Sequence, residues 1–293
     1  MQDIKEILSR VKNFEIKTNT IVEGLISGNY RSVFRGTGIE FSEVREYVPG
    51  DDIRAIDWNV TARFNSPYVK EFIEERDLNI YIVFDVSASN DFGYQKSKKE
   101  LGYEIASSIM FSALKNNDNI GLCLFTDYVE KFIKPRKGKK FVLRLLRELI
   151  YYQPKSQRTD INNSLIYLSK IIKRRSIIFV LSDFISDNFE KPIKFLKNKH
   201  DVILINLFDV NEVNIPDVGY IFLEDKENGE QILVNTSDED FKKLYTERIK
   251  KTNNNLQSKM KKLKVDMIQI NTTEPFYLPL RRFFNLRKRR LRR

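Results

Sequence analysis

The fold is decided by residues 79–89, which read NIYIVFDVSAS. Residues 80–84 are all apolar or aromatic, as expected of a parallel strand that is buried on both faces. Asp85, Ser87 and Ser89 follow directly. In open α/β sheets, ligands bind at the carboxyl ends of the strands. The stretch therefore predicts a buried central strand and a polar site at its end.

The chain continues from this stretch as alternating strands and helices. Further apolar runs predict strands at residues 120–125, 129–133, 176–181, 202–207 and 265–270. Periodic apolar positions predict helices near residues 101–113, 139–152, 161–173, 189–199 and 238–262. A turn at residues 226–229 predicts a hairpin. The pattern favours the α/β class, with a mostly parallel central sheet, helices on both faces and a Rossmann-like arrangement.

Composition divides the chain into three expected parts. They are residues 1–78, a helical and charged N-terminal segment; residues 79–275, the main α/β domain; and residues 276–293, a basic C-terminal tail. Apolar positions at three- and four-residue spacing predict a helix over residues 1–27. The sequence from residue 28 to residue 78 is instead rich in charged and aromatic residues.

The bulk composition indicates a folded protein. Of its 293 residues, 41% are hydrophobic, and a single cysteine, Cys123, excludes an intramolecular disulfide bond. We expect a cytoplasmic protein, because neither a signal peptide nor an apolar run of about 20 residues is apparent. The net charge is +11, and eight positive charges of residues 281–293 account for all but +3 of it. This tail predicts contact with nucleic acid or with the inner face of the membrane, unless it is a solvated end that keeps the protein soluble.

Two further polar clusters occur where the pattern places ends of secondary structure. Thr159 lies before a predicted helix, and Asp183 follows the predicted strand at residues 176–181. With Asp85 and the two serines, these clusters supply carboxylates and hydroxyls but no imidazole or thiolate. Oxygen ligands of this kind suit Mg²⁺ or Mn²⁺ and are poor ligands for Zn²⁺. The alternative is that the hydroxyls cap helices and the aspartates are solvated turn residues.

The order Asp-x-Ser-x-Ser, Thr, Asp resembles the metal-ion-dependent adhesion site of von Willebrand factor A domains. The resemblance implies that Ser87 and Ser89 bind the cation directly and that Thr159 binds it directly or through water. Asp85 and Asp183 would act mainly as anchors, through water or direct contacts. In such sites an open coordination position accepts a Glu or Asp carboxylate from a protein partner.

Residues 45–63 read REYVPGDDIRAIDWNVTAR and resemble the signature of the bacterial family called domain of unknown function 58. The resemblance implies a von Willebrand A-like domain that follows this charged segment. It also implies an adaptor or assembly role with a MoxR-type AAA+ ATPase as partner. Residues 48–51 predict a type II turn. We expect a network of turns and salt bridges that packs Trp58 against the main domain, with a partner-binding surface as the alternative.

Enzymatic activity is the main rival interpretation. A strand that ends in Asp85 is similar to the start of an aspartyl-phosphate motif, and a metal-dependent phosphohydrolase would also use Mg²⁺. Such enzymes place a second acid two residues later, where this chain has Ser87. The single histidine, His200, is expected to be an exposed residue rather than a catalytic one. No Walker Gly-Lys-Ser/Thr motif is present. We therefore predict a non-enzymatic protein with no small-molecule substrate.

Overall fold

The computed structural model describes most of the chain, namely residues 39–64, 66–74, 78–93, 96–186, 188–224 and 229–291. Within these ranges, the central sheet contains β3 (Asn79–Asp85), β4 (Asn119–Phe125), β5 (Val129–Arg136), β6 (Ile177–Ser182), β7 (Asp201–Phe208) and β10 (Asp266–Asn271). Two further sheets are two-stranded and antiparallel. They are formed by β1 (Ile39–Glu46) with β2 (Tyr68–Glu74), and by β8 (Tyr220–Glu224) with β9 (Gln231–Asn235).

Most helices of the described ranges lie between strands of the central sheet or follow its last strand. These helices are α2 (Lys98–Lys115), α3 (Lys139–Ile150), α4 (Ile161–Ile171), α5 (Glu190–Lys199), α6 (Val210–Val213), α7 (Glu239–Lys262) and α8 (Tyr277–Leu291), whereas α1 (Trp58–Phe64) lies between β1 and β2. Two short 3-10 helices occur at Ile53–Ala55 and Ala88–Asp91. The elements predicted for the main domain are present in the predicted order.

The central sheet has the strand order β10-β7-β6-β3-β4-β5. All neighbouring pairs are parallel except β4 with β5, so the one antiparallel strand lies at an edge. The order reverses at β3, because the next strand in the chain lies on one side of β3 and the later strands lie on the other. This is the doubly wound arrangement, in which the reversal point is where ligands bind. The predicted α/β fold with a mostly parallel sheet is confirmed.

Both faces of the sheet are covered by helices. In β3, Ile80, Ile82 and Phe84 point into a core shared with α2, α3 and α8. Tyr81 and Val83 point into a second core, shared with α4, α5 and α7. The alternation follows from the two-residue period of a strand. Gly102 of α2 lets the helix approach β3 closely, since a Cβ there would lie 2.6 Å from the ring of Phe84.

Residues 39–74 form a hairpin segment whose strands were not predicted. β1 and β2 pair antiparallel, and the connection between them carries the predicted turn, with Gly50 at a φ of +113°. The Asp51 backbone N–H donates to the carbonyl of Val48 at 3.1 Å, which closes the turn. The expectation that Trp58 packs against the main domain is wrong, because this residue is 68% exposed.

The last helix differs from the basic tail that the charge pattern suggested. Leu280 and Phe284 of α8 are buried in the core of the central domain. Arg287 pairs with Asp201 and Asp266, at the ends of β7 and β10. The basic side chains therefore lie on one face of α8, and the opposite face packs against the core. Residues 276–291 are thus part of the main domain.

Several sequence predictions fall outside the described residues. These are the helix over residues 1–27, most of the hairpin turn at 226–229, and the last two arginines of the tail. The antiparallel pairing of β8 and β9 on either side of the turn agrees with the predicted hairpin. Among the helices of the described ranges, none combines the length and the apolar character needed to cross a membrane.

Candidate metal centre

The polar residues predicted as a site lie at the carboxyl edge of the sheet, where β3 and β6 run side by side. Phe84 is in register with Leu181, so Asp85 and Ser182 end the two strands next to each other. Ser87 and Ser89 follow from β3, and Asp183 follows from β6. Parallel strands bring their carboxyl ends to one edge, which is why residues about 100 positions apart meet here.

Asp85 is buried, and both of its carboxylate oxygens accept hydrogen bonds. Oδ1 accepts from the Ser87 hydroxyl at 2.6 Å and from the Ser87 backbone N–H at 3.0 Å. Oδ2 accepts from the Ser182 hydroxyl at 2.6 Å. The Asn90 amide donates to the Asp85 backbone carbonyl at 3.3 Å. Asp85 therefore fixes the loop that presents the two serines.

The hydroxyl oxygens of Ser87 and Ser89 lie 3.1 Å apart and share a hydrogen bond. Adjacent oxygen ligands of an octahedral Mg²⁺ are about 2.9 Å apart, given metal–oxygen distances of roughly 2.0–2.1 Å. The two hydroxyls therefore have nearly the separation of two neighbouring ligands of one ion. The short 3-10 helix that begins at Ala88 turns the chain so that both side chains point to the same place.

Thr159 lies in the loop that precedes α4, and backbone bonds hold this loop beside the serines. The Ala88 N–H donates to the carbonyl of Gln157 at 3.2 Å, and the Asp160 N–H donates to the carbonyl of Thr126 at 3.1 Å. Ala88 is the residue between the two serines. The structure thus brings the loop of Thr159 to the same edge as the other four predicted residues.

Glu130, in β5, accepts hydrogen bonds from the loop that precedes α4. Its carboxylate accepts from the backbone N–H groups of Lys155 and Ser156 at 2.9 and 3.1 Å. It also accepts from the hydroxyls of Thr126 and Tyr152, each at 3.0 Å. Two of these four donors are backbone groups of the loop, so Glu130 holds the part of the loop that precedes Thr159.

Asp183 meets a buried lysine that sequence analysis did not single out. The ammonium group of Lys98 donates to Asp183 Oδ2 at 2.9 Å and to Glu212 Oε1 at 2.6 Å. The side chain of Lys98 is only 1% exposed. The other oxygen of Asp183 accepts from the Ile185 backbone N–H at 3.2 Å. The edge therefore holds Asp85, Asp183, Glu212 and Lys98, which we call the edge cluster.

Electrostatic interactions within the edge cluster are strong because it is buried. Burial and the neighbouring Asp183 carboxylate raise the pKa of Asp85 to about 6, although hydroxyl donors from Ser182 and Ser87 oppose the shift. Burial alone would lower the pKa of Lys98, but the charges of Asp183 and Glu212 outweigh it and raise that pKa. Burial also raises the pKa of Glu212, against the effect of Lys98. When its acids are ionised, the cluster has three negative charges and one positive charge.

The donor set fits a hard divalent cation. In the described ranges, no three His, Cys, Asp or Glu side chains are grouped as a metal site. The oxygens that this edge offers a cation are therefore to be sought among its hydroxyls as well as its carboxylates. Ser87, Ser89 and the nearby Thr159 provide such oxygens, and the edge cluster provides surplus negative charge. The Oδ1 atom of Asn90 is buried without a hydrogen-bond partner among the described residues, which marks unused acceptor capacity beside Asp85. Mg²⁺ and Mn²⁺ match this oxygen-only chemistry.

Other residues with chemical potential lie away from this edge. His200 is buried, contrary to the expectation that it is exposed, and it precedes β7 at the amino edge of the sheet. Burial and the nearby Lys199 lower its pKa. Cys123 is buried in β4, as predicted, and burial raises the pKa of its thiol. Neither residue is among the hydrogen-bond partners of Asp85.

Two uncharacterized bacterial proteins have similar sequences. An uncharacterized protein of Mycobacterium tuberculosis is 29% identical over 231 residues, which cover 78% of this chain and 73% of the relative. The protein YeaD of Bacillus subtilis is 33% identical over 109 residues, which cover 37% of this chain and 25% of the relative.

Solved structures with a similar course of the chain include BatB from Bacteroides thetaiotaomicron and the von Willebrand A domain of SpRpn10. BatB is 15% identical with a TM-score of 0.49, and the match covers 72% of this chain and 99% of BatB. The SpRpn10 domain is 13% identical with a TM-score of 0.40, and the match covers 69% of this chain and 93% of that domain. Both TM-scores are below 0.5, so the likeness extends no further than the general course of the chain.

The family described as "Protein of unknown function DUF58" matches residues 43–255. The matched range begins in the hairpin segment and includes the complete edge cluster. It also includes the signature at residues 45–63 that carried the resemblance. The chain therefore belongs to the DUF58 family.

Proposed function

We propose that the carboxyl edge binds Mg²⁺ or Mn²⁺ and that the protein is a metal-dependent, non-enzymatic adaptor for another protein. The observation that carries the proposal is the pair of hydroxyls on Ser87 and Ser89, which lie 3.1 Å apart, with the Ser87 hydroxyl held by the buried Asp85. A solvated turn or a simple helix cap would not need a buried carboxylate with both oxygens bonded to serine hydroxyls. A cation would use these hydroxyls as neighbouring ligands.

Each residue has a distinct role in this proposal. Ser87 and Ser89 bind the cation directly, and Thr159 binds it directly or through water. Asp85 and Asp183 anchor the site by orienting hydroxyls and by balancing the ion's charge. The bound ion would supply an electrophilic position that accepts an anionic oxygen. Hydroxyl ligands donate less charge than carboxylates do, which favours a carboxylate from the partner at that position.

A phosphohydrolase is less well supported by the geometry. A nucleophilic aspartate must reach a substrate, but Asp85 is 1% exposed and both of its oxygens accept hydrogen bonds. The residue two positions later is Ser87, whose hydroxyl donates to Asp85 and cannot protonate a leaving group as an acid would. We therefore expect no hydrolysis of p-nitrophenyl phosphate above the rate of the Asp85→Asn variant. A metal-dependent rate that the variant loses would establish the enzyme instead.

The family membership makes a MoxR-type AAA+ ATPase the first partner to examine, in a cytoplasmic setting. A Glu or Asp on that partner would complete the coordination of the ion. This interaction would depend on the cation itself and only weakly on ionic strength, because the bond forms in a partly buried site where screening is small.

The test measures binding of the purified ATPase to the immobilised chain in Mg²⁺, in EDTA, and after Mg²⁺ is restored. The Ser87→Ala/Ser89→Ala double variant should bind as weakly in Mg²⁺ as the parent does in EDTA. Ser169→Ala is the matched control, since that serine lies on α4 and bonds only within its helix, to Ile166. Equal affinity in Mg²⁺ and EDTA would contradict the metal bridge.

A second candidate function is binding to an anionic surface through the outer face of α8. Arg281, Arg282, Arg289 and Arg290 are exposed there, while the opposite face of the helix is packed. Binding of this kind weakens steeply with added salt at constant Mg²⁺. The Arg281→Gln/Arg282→Gln variant tests it without removing Phe284 from the core. Partner binding lost in this variant but unaffected by EDTA would favour the basic face over the metal centre.

A further inference from the structure

The positively charged side chain of Lys98 is buried at the carboxyl edge of the central sheet. Lys98 occupies the first position of α2, which a capping box fixes: the Ser97 hydroxyl accepts from the Glu100 N–H, and the Glu100 carboxylate accepts from the Ser97 N–H. The Lys98 backbone N–H donates to the carbonyl of Phe92 at 2.9 Å. The start of α2 is thus fixed around Lys98, whose side chain is buried in the protein.

The ammonium group is shared by two carboxylates that belong to different elements. Asp183 follows β6 at the proposed metal site, and Glu212 lies on α6. The side chain of Asp183 is almost fully buried, whereas that of Glu212 is 25% exposed. A buried charge is tolerated only when it is paired. Lys98 therefore compensates Asp183 in the absence of a metal ion, and Glu212 is a second partner that can keep Lys98 paired by itself.

We propose that Lys98 is an internal counter-ion that competes with the divalent cation for Asp183 and thereby sets the affinity of the site. The inference rests on the proposed metal site. A divalent ion near Asp85 and Asp183 is repelled by the ammonium group, which contacts Asp183 at 2.9 Å. Metal binding then requires Lys98 to shift its interaction toward Glu212. The lysine keeps the apo site paired and, by the same charge, weakens metal binding.

The competition predicts effects of opposite sign at two residues in contact. Lys98→Met removes the repulsion and leaves Asp183 without its cation, so Mg²⁺ should bind more tightly. Glu212→Gln leaves Lys98 with Asp183 as its only ionised partner, so Mg²⁺ should bind more weakly. A purely structural ion pair predicts a different pattern, in which both substitutions loosen the edge and both weaken metal binding.

The experiment is calorimetric titration of the full chain with MgCl₂ and with MnCl₂, together with melting temperatures in EDTA and in Mg²⁺. Lys98→Met should tighten binding by at least about tenfold, within the usual range of coupling between two sites. This variant should also melt at a lower temperature than the parent in EDTA, and Mg²⁺ should raise its melting temperature by more than that of the parent. Lys99→Met is the matched control, because Lys99 pairs with Asp91 on the surface at 3.1 Å.

The outcomes separate this inference from the proposed function. If the parent binds Mg²⁺ and folded Lys98→Met binds it no more tightly, the counter-ion role is wrong and the metal site stands. If Lys98→Met binds a cation and the parent does not, Lys98 prevents metal binding in the parent, and the inference is supported. If neither chain binds, both proposals are wrong. Should Lys98→Met fail to fold, Glu212→Gln decides, since unchanged or tighter binding there contradicts the competition.

Discussion

The edge cluster and the hairpin segment both contain carboxylates paired with cations, but in opposite surroundings. Lys98 and Asp183 have side chains that are 1% and 3% exposed. Arg45 and Asp51 of the hairpin segment form a bidentate pair, at 2.7 and 2.8 Å, with side chains 37% and 21% exposed. The chemistry of the pairs is similar, whereas the access of water differs greatly.

This difference decides what each group of charges can do. Water screens the hairpin pairs, so they fix the shape of a turn and contribute little stability. At the edge, a charge that loses its partner stays buried, and the cost is large. The edge cluster is therefore suited to respond to a cation. The hairpin segment instead presents exposed apolar residues, including Ile53, Trp58 and Phe64, on a frame held by ion pairs.

The largest expected effect is at Asp183. Asp183→Ala removes the more deeply buried of the two partners of Lys98. Breaking a buried pair costs about 3–5 kcal/mol, and the remaining Glu212 should keep the loss near the lower end of that range. Urea denaturation in metal-free buffer measures the change in the free energy of unfolding. Because of this cost, Asp183→Ala is unsuitable as a probe of partner binding. A loss below about 1 kcal/mol, as is typical of an exposed pair, would mean that the edge cluster is open to water.

A smaller effect is expected for the matched pair in the hairpin segment. Arg45→Ala should lower the free energy of unfolding by at most about 1 kcal/mol, since exposed ion pairs rarely contribute more. The same urea denaturation applies, repeated in high salt. Added salt should reduce the difference between parent and variant here and leave the Asp183→Ala difference nearly unchanged. A cost as large as that of Asp183→Ala would remove the contrast between the two regions.

The smallest effect on stability is expected at Trp58. Trp58→Ala should change the free energy of unfolding by no more than about 0.5 kcal/mol, as for surface substitutions in general. A buried tryptophan would instead cost about 3–5 kcal/mol. If the exposed indole contacts the partner, the variant should also bind the ATPase more weakly at unchanged stability. A large loss of stability with normal binding would restore the original prediction that Trp58 is packed.

The sequence predicted the central sheet well because its strands are marked by apolar runs between amphipathic helices. It did not predict β1 and β2, whose apolar residues are interleaved with charged ones such as Glu43 and Lys70. The sequence analysis did not predict α8, because the many arginines of this segment suggested a basic tail. A signal was nevertheless present, because Phe276, Leu280 and Phe284 recur every four residues. All three are buried, Phe276 just before α8 and the other two on its packed face.

The candidate site was predictable where it depends on strand ends and unpredictable where it depends on tertiary contacts. Asp85, Ser87 and Ser89 follow a strand that the apolar run identifies. Lys98 looks in the sequence like an ordinary solvated residue of a first helical turn. Its burial depends on Asp183 and Glu212, which are 85 and 114 positions away in the chain. No local sequence pattern indicates contacts between residues this far apart in the chain.

The most direct measurement is the melting temperature of the full chain during titration with Mg²⁺, compared between the parent, Ser87→Ala and the control Ser169→Ala. A ligand that binds only the folded state raises the melting temperature as its concentration rises. We predict a rise for the parent and for Ser169→Ala that EDTA reverses, and little or no rise for Ser87→Ala. A parent protein whose melting temperature responds to neither Mg²⁺, Mn²⁺ nor EDTA would contradict a working metal centre at this edge.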